Sequence, residues 1–167
     1  YIHFTTPEVY VSTDGGWIKE NFNFNPTTPY AVSRAACDLH LLSFFKAYNF
    51  PVVFTRAANV FGEGQQLYRI IPKTIMCILN QKRLNLEGGG NSKRSFIYSD
   101  DFCEGILLTI KKGRKNETYN FSPNSEIKII DLVKQICNLM KYPPEKLINF
   151  SKDRIGKDSR YYMSSKK

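Results

Sequence analysis

The sequence predicts an α/β fold in two parts: the end of a parallel sheet, then a small mixed α+β region. Three observations carry this. An extended run at the start, a long helical pattern and a second apolar run make a strand–helix–strand unit. Such a unit closes right-handedly into a parallel sheet. The second run, Pro51-Val52-Val53-Phe54-Thr55, has no polar alternation, as expected of a strand covered on both faces. After it, short strands and helices alternate.

The elements follow in order. Residues 1–5 read as a strand. Residues 11–29 are rich in Gly, Asn, Thr and Pro and read as loop. A helix begins near Tyr30, after Pro29, and Ala31, Ala35, Leu39, Leu42 and Phe45 follow helical spacing. Asn49 ends it before Pro51. After the strand at 51–55, a helix spans about 67–79, either kinked at Pro72 or starting near it. A strand at Arg83–Glu87 leads into Gly88-Gly89-Gly90, and another follows at Ser95–Ser99. Asp100 and Asp101 are candidate N-caps for a helix at about 102–112. A strand at Glu117–Phe121 precedes a helix at Ile129–Lys141, whose apolar face is Ile129, Leu132, Val133, Ile136, Cys137 and Met140. The tail after Pro143-Pro144 reads as polar and basic.

Composition bounds the function. The chain has 167 residues, 42% of them hydrophobic, enough for a core and against disorder. No run approaches the roughly 18 apolar residues of a membrane span, and no signal peptide opens the chain. The start at Tyr1, without Met, reads as that of a fragment. The four cysteines, Cys37, Cys77, Cys103 and Cys137, are too far apart for CxxC motifs. They read as buried reduced thiols in a cytoplasmic protein. With only His3 and His40 available, no metal site is expected. Lys and Arg exceed Asp and Glu by 24 to 15, a net +9. These charges are spread along the chain, so a phosphate-bearing small ligand is a better partner than nucleic acid or a membrane.

One spacing suggests chemistry. Tyr30 and Arg34, at i and i+4, share a helix face, and a phenol beside a permanent cation is a candidate acid/base. Thr5-Thr6-Pro7-Glu8-Val9-Tyr10 follows one strand, and Arg56-Ala57-Ala58-Asn59-Val60-Phe61-Gly62 accompanies the next. In a parallel sheet, ligands bind at the carboxyl ends of the strands.

With these segments, Arg94-Ser95-Phe96-Ile97-Tyr98-Ser99-Asp100-Asp101 and the stretch from Asp153 to Tyr161, the chain resembles the extended short-chain dehydrogenases that act on nucleotide sugars. Order and spacing look most like the dTDP-glucose 4,6-dehydratase branch. The resemblance covers almost the whole chain. It implies the C-terminal part of a Rossmann-type sheet with a small mixed α+β substrate-binding region. Residues 1–62 would end the NAD-binding domain. Residues 63–167 would mainly bind nucleotide sugar, with returns to the Rossmann sheet. The implied activity is NAD-dependent 4,6-dehydration through transient oxidation at C4, in a homodimer. Epimerisation, decarboxylation, or nucleotide-sugar binding without catalysis are the alternatives.

The resemblance also implies roles. Thr6 would bond the sugar 4-hydroxyl, Tyr30 would take its proton, and Glu8 would be the base at C5. Arg34 stands where the family has a Lys that binds the nicotinamide ribose, and Arg56 falls with Tyr30 and Arg34 on the cofactor side. Asn59, Arg69, Asn85, Arg94, Asn120 and Arg154 match nucleotide-diphosphate positions, and Asp158 and Tyr161 fall in the same closing loop.

Departures are plain. The Gly-rich dinucleotide turn is absent, so NAD turnover by the isolated chain is not expected. Arg34 replaces Lys, and its fork binds differently. Pro7 replaces the Asp that protonates the departing hydroxyl. Val11 replaces a Gly and tolerates positive φ poorly.

Overall fold

The structure is a computed structural model that describes residues 1–10, 16–21, 23–152 and 162–167. Strand β1 (Ile2–Thr5) runs into a 3-10 turn at Pro7–Val9, and helix α1 spans Pro29–Tyr48. Strands β2 (Val53–Ala57) and β3 (Asn59–Phe61) precede α2 (Ile70–Leu79) and β4 (Leu84–Glu87). Then come β5 (Lys93–Arg94), β6 (Phe96–Tyr98), α3 (Ser99–Lys112), β7 (Thr118–Phe121) and β8 (Ile127–Lys128). Helices α4 (Ile129–Leu139) and α5 (Pro144–Leu147) lead to β9 (Ile148–Ser151).

The expected parallel sheet is present in the order β1-β2-β7, with Ile2 opposite Val53 and Arg56 opposite Asn120. Three further pairs lie outside this sheet: β3-β6 and β4-β9 are parallel, and β5-β8 is antiparallel. Because β1 and β2 are parallel, α1 crosses back between them. Its N-terminus therefore stands at the carboxyl ends of the strands.

Local chemistry sets the ends of α1. The Thr28 hydroxyl accepts from the Ala31 N–H at 3.1 Å, and Pro29 occupies the first helical position. Asn49 closes the helix in the left-handed region, at φ 52°, and donates to the Phe45 carbonyl. Pro72 lies in the first turn of α2, where a missing N–H removes no helical bond, so no kink is needed.

Several expectations are corrected. Tyr98, not an aspartate, is the N-cap of α3. Asp100 and Asp101 lie in its first turn, where they favour the helix through its dipole. The tail after Pro144 is structured as α5 and β9, and Leu147 there is fully buried. Only Cys137 is a buried thiol; Cys37 and Cys103 are exposed, and all four are free. The inner face of α1 is Ala31, Ala35 and Asp38, while Leu39 of the expected stripe is 56% exposed. Two small alanines let the helix lie close to the sheet.

One buried cluster joins α2, β4, α4 and α5 through Ile78, Leu84, Leu86, Val133, Ile136, Cys137 and Leu147. Another packs Val9, Tyr10, Ile18, Ala35 and Met163 beneath the end of β1. No helix among the described residues is long and apolar enough to cross a membrane.

Candidate active site at the sheet's carboxyl edge

Three sequence segments converge where the strands end. Thr6 follows β1 and caps the 3-10 turn, its hydroxyl accepting from the Glu8 N–H at 3.3 Å. Pro7 sits at the first position of that turn, which its fixed φ suits. Tyr30 is the second residue of α1 and is 55% exposed. One turn on, the Arg34 guanidinium donates to the Phe4 carbonyl of β1. Tyr1 and His3 carbonyls accept from Val53 and Thr55 of β2. Alternation therefore turns the Phe4 carbonyl to the outer edge of β1.

Arg34 thus braces the helix N-terminus against the sheet edge. Its Nε is buried without a hydrogen-bond partner, as is the Thr5 hydroxyl. Two orphaned polar groups where Arg34 meets the end of β1 suit a polar ligand such as a ribose.

Asn59, at the start of β3, donates from Nδ2 to the Ser95 carbonyl at 3.1 Å, which places it beside Arg94. The Arg94 guanidinium donates to the Lys93 carbonyl at 2.7 Å. Asn120, opposite Arg56 on β7, is buried. It holds two segments together, donating from Nδ2 to the Ile18 and Ser164 carbonyls. That commits its amine to the fold and leaves only a buried Oδ1 for any ligand. Arg69 and Asn85 stand apart, in the second region. Arg69 is the exposed N-cap of α2, and exposed Asn85 on β4 accepts from Asn149 at 2.8 Å. Arg154, Asp158, Tyr161 and Val11 lie outside the described residues. A cavity of about 370 Å³ lies between α3 and β7, away from Tyr30, with Leu108, Lys112, Tyr119 and Asn120 in its wall.

Arg56 lies inside the sheet. It is 2% exposed, and its guanidinium meets Asp38 Oδ2 at 2.7 Å, donates to the Tyr10 hydroxyl and lies 4.7 Å from the Tyr10 ring centroid. A guanidinium so enclosed is a strut inside the sheet. Asp38 Oδ1 lies 3.1 Å from His3 Nε2, close but without hydrogen-bond alignment. Burial lowers the His3 pKa from 6.5 against the upward pull of Asp38. Burial raises that of Tyr10 against the downward pull of Arg56. The sequence reading missed Asp38, although it falls at i+4 from Arg34 on a buried helix face, which was the available signal.

The comparisons with known proteins bear on the same residues. The model of the NAD dependent epimerase/dehydratase family matches residues 1–122. The chain belongs to this family. It is 36% identical to human dTDP-D-glucose 4,6-dehydratase, over 95% of this chain and 49% of that protein. A trifunctional UDP-glucose 4,6-dehydratase/epimerase/reductase of Arabidopsis thaliana is 32% identical over the full chain and 26% of its own length. Among solved structures, the dTDP-glucose 4,6-dehydratase of Streptomyces venezuelae, with NAD bound, superposes with a TM-score of 0.94. It shares 30% identity with this chain and covers 98% of it and 51% of itself. The chain thus spans about half, or less, of the relatives it matches. The strand–helix–strand edge carrying Thr6, Glu8, Tyr30 and Arg34 lies within the family match.

Proposed function

We propose that this chain forms the substrate-facing part of an NAD-dependent nucleotide-sugar 4,6-dehydratase of the dTDP-glucose type. The carrying observation is that the 3-10 turn bearing Thr6 and Glu8 packs against α1, which bears Tyr30 and Arg34, at one carboxyl edge of a parallel sheet. Residues 1–62 fall to the end of the dinucleotide domain and 63–167 mainly to substrate binding.

NAD, when bound, supplies hydride transfer at C4 of the sugar. The orphaned Arg34 Nε and Thr5 hydroxyl fit its ribose. No G-x-G-x-x-G pattern occurs in this sequence to cradle its pyrophosphate. Thr6 orients the 4-hydroxyl, and Tyr30 takes its proton. A ketone at C4 acidifies C5, and Glu8 removes that proton. The departing 6-hydroxyl then needs a proton, which Pro7 cannot give. Glu8, just protonated from C5, is the acid at hand, so water leaves from the same face and the carboxylate is regenerated. The 5,6-alkene would then take back the hydride at C6 and a solvent proton at C5, which closes the redox balance. Arg94 and Arg154 suit the diphosphate, because guanidinium forks match phosphate oxygens. Pro7 also favours a second reading, epimerisation at C4 by the same oxidation without loss of water. We place the enzyme in the cytoplasm as a homodimer.

The test is Glu8→Gln in the full-length, NAD-loaded protein. Wild type incorporates solvent deuterium at C5 during turnover, and the variant loses this by about 100-fold or more. Exchange at the wild-type rate would remove Glu8 from the mechanism. C4 inversion without any C5 exchange in wild type would select the epimerase reading.

A further inference from the structure

Asp38 is a fully buried carboxylate that the reaction does not use. It lies four residues beyond Arg34 and eight beyond Tyr30, on the same side of α1. Two strands hold it. His3 of β1 approaches Oδ1 at 3.1 Å, and Arg56 of β2 binds Oδ2 at 2.7 Å. The remaining buried residues of α1 are Ala31 and Ala35, whose methyl groups offer little resistance to rotation about the helix axis. A planar carboxylate gripped from two neighbouring strands resists both rotation and sliding.

The same arginine reaches the other arm of the site. Its second terminal nitrogen donates to the Tyr10 hydroxyl, and Tyr10 is the C-cap of the 3-10 turn that carries Glu8. Phe24 lies on the guanidinium at 5.2 Å from its ring centroid, on the side chain already stacked near Tyr10. One side chain therefore connects the helix that bears Tyr30 with the turn that bears Glu8.

Energetics argue that this linkage is not there for stability. Apolar residues of similar volume commonly stabilise a core as well as a buried ion pair does, because the pair must first be desolvated. What the pair adds is direction.

We propose that the buried series His3–Asp38–Arg56–Tyr10 is a positioning device that sets Tyr30 and Glu8 at a fixed offset from each other. This rests on the functional reading above. Asp38, through α1, governs the oxidation that Tyr30 assists. Tyr10, through the 3-10 turn, governs proton removal by Glu8.

Two substitutions separate the arms in the full-length, NAD-loaded protein. Asp38→Asn keeps the shape and removes the charge. Tyr10→Phe removes only the hydroxyl. Single-turnover absorbance of bound NADH reads the oxidation, and solvent deuterium at C5 reads the Glu8 step. Asp38→Asn slows the oxidation by about 10- to 100-fold, the cost of a small misplacement, with the KM for nucleotide sugar changed less than about twofold. Tyr10→Phe slows C5 exchange by about tenfold and leaves the oxidation unchanged. Amide exchange, which needs no turnover, rises at 29–38 in Asp38→Asn and at 7–10 in Tyr10→Phe. Tyr30→Phe is the reference. If it abolishes oxidation while both network variants keep wild-type steps and amide protection, the device is overturned and the functional reading stands. If Tyr30→Phe turns over normally, the reading fails and the device with it. Should Asp38→Asn not fold, Tyr10→Phe and Arg56→Lys decide. The lysine keeps the charge but cannot reach both Asp38 and Tyr10, so both steps slow; unchanged steps in both variants overturn the proposal.

Discussion

His3 is 8% exposed and faces Asp38 and Arg34 of α1, Arg56 of β2 and the rings of Tyr1 and Phe54. Burial outweighs the attraction of Asp38, and the two arginines oppose a second positive charge, so the folded state holds His3 neutral below its usual 6.5. The sign follows from proton linkage. Just below pH 6.5 the unfolded chain binds a proton that the folded chain refuses. The stability His3 contributes is therefore complete above 6.5 and is lost as pH falls toward the folded value. Thermal denaturation at pH 7.5 and 5.5 reads this: the midpoint drops on acidification, and His3→Gln shrinks that drop. An equal drop in both proteins would assign the acid sensitivity to other groups. The same residues mark where reading the sequence stopped. Tyr30 and Arg34 were legible because helix geometry alone puts i and i+4 on one face. The role of Arg56 was not, because it depends on a carboxylate from another element, 18 residues earlier, meeting it across the sheet–helix interface.

At the scale of elements, long periodic segments were legible, as were the short strands β1, β4, β6 and β7 that turn residues or helices bound, and the remaining short strands were not. Helices α1, α2 and α4 were found within a few residues of their ends, since their apolar spacing repeats over several turns. Strands β3, β5, β8 and β9 have only two to four residues each, too few to show a period. Tertiary pairing specifies them. The glycine turn after β4 illustrates how. Gly90 has φ 69°, and a Cβ there would lie 3.0 Å from the Ile130 backbone nitrogen in α4. Conformation and space both forbid a side chain where the turn meets the helix. Gly90→Ala accordingly destabilises by about 1–2 kcal/mol for the left-handed backbone alone. Leu147→Ala, which empties a fully buried site in the cluster beneath β4, costs about 2–5 kcal/mol. Urea denaturation followed by circular dichroism measures both. A loss below about 0.5 kcal/mol for Leu147→Ala would mean that α5 does not pack on that core.

At the scale of the whole molecule, apolar side chains are left uncovered on α1 and α3 among other places. On α1 they are Val32, Leu39, Phe44 and Tyr48; on α3 they are Leu107, Leu108 and Ile110. The apolar residues of α1 run around most of its circumference, and one helix cannot bury all of them against its own sheet. The α1 face is the one we assign to the homodimer proposed above. It lies on the helix that also carries Tyr30, so pairing would stiffen the site's own scaffold. A two-fold axis doubles each contact, because the same patch serves both copies. Fully burying an exposed Leu or Phe is worth about 1.5–3 kcal/mol, and association must first offset the lost freedom of the two copies. Charge reverses the balance. Leu39→Glu with Phe44→Glu places four carboxylates in one symmetric interface without partners, and their desolvation outweighs what the remaining contacts return. Sedimentation velocity on the full-length protein is then expected to give a dimer for wild type and a monomer for this double variant. Leu107→Glu with Ile110→Glu, on α3, leaves the dimer intact. Leu39 is exposed within the subunit, whereas Phe44 meets the rings of His40, Tyr48 and Phe50, so any fall in the melting of the isolated monomer is expected to come from Phe44. A dimer that survives the α1 variant but dissociates with the α3 variant would move the interface to the opposite face of the sheet. Tyr30 would then sit on a helix open to solvent.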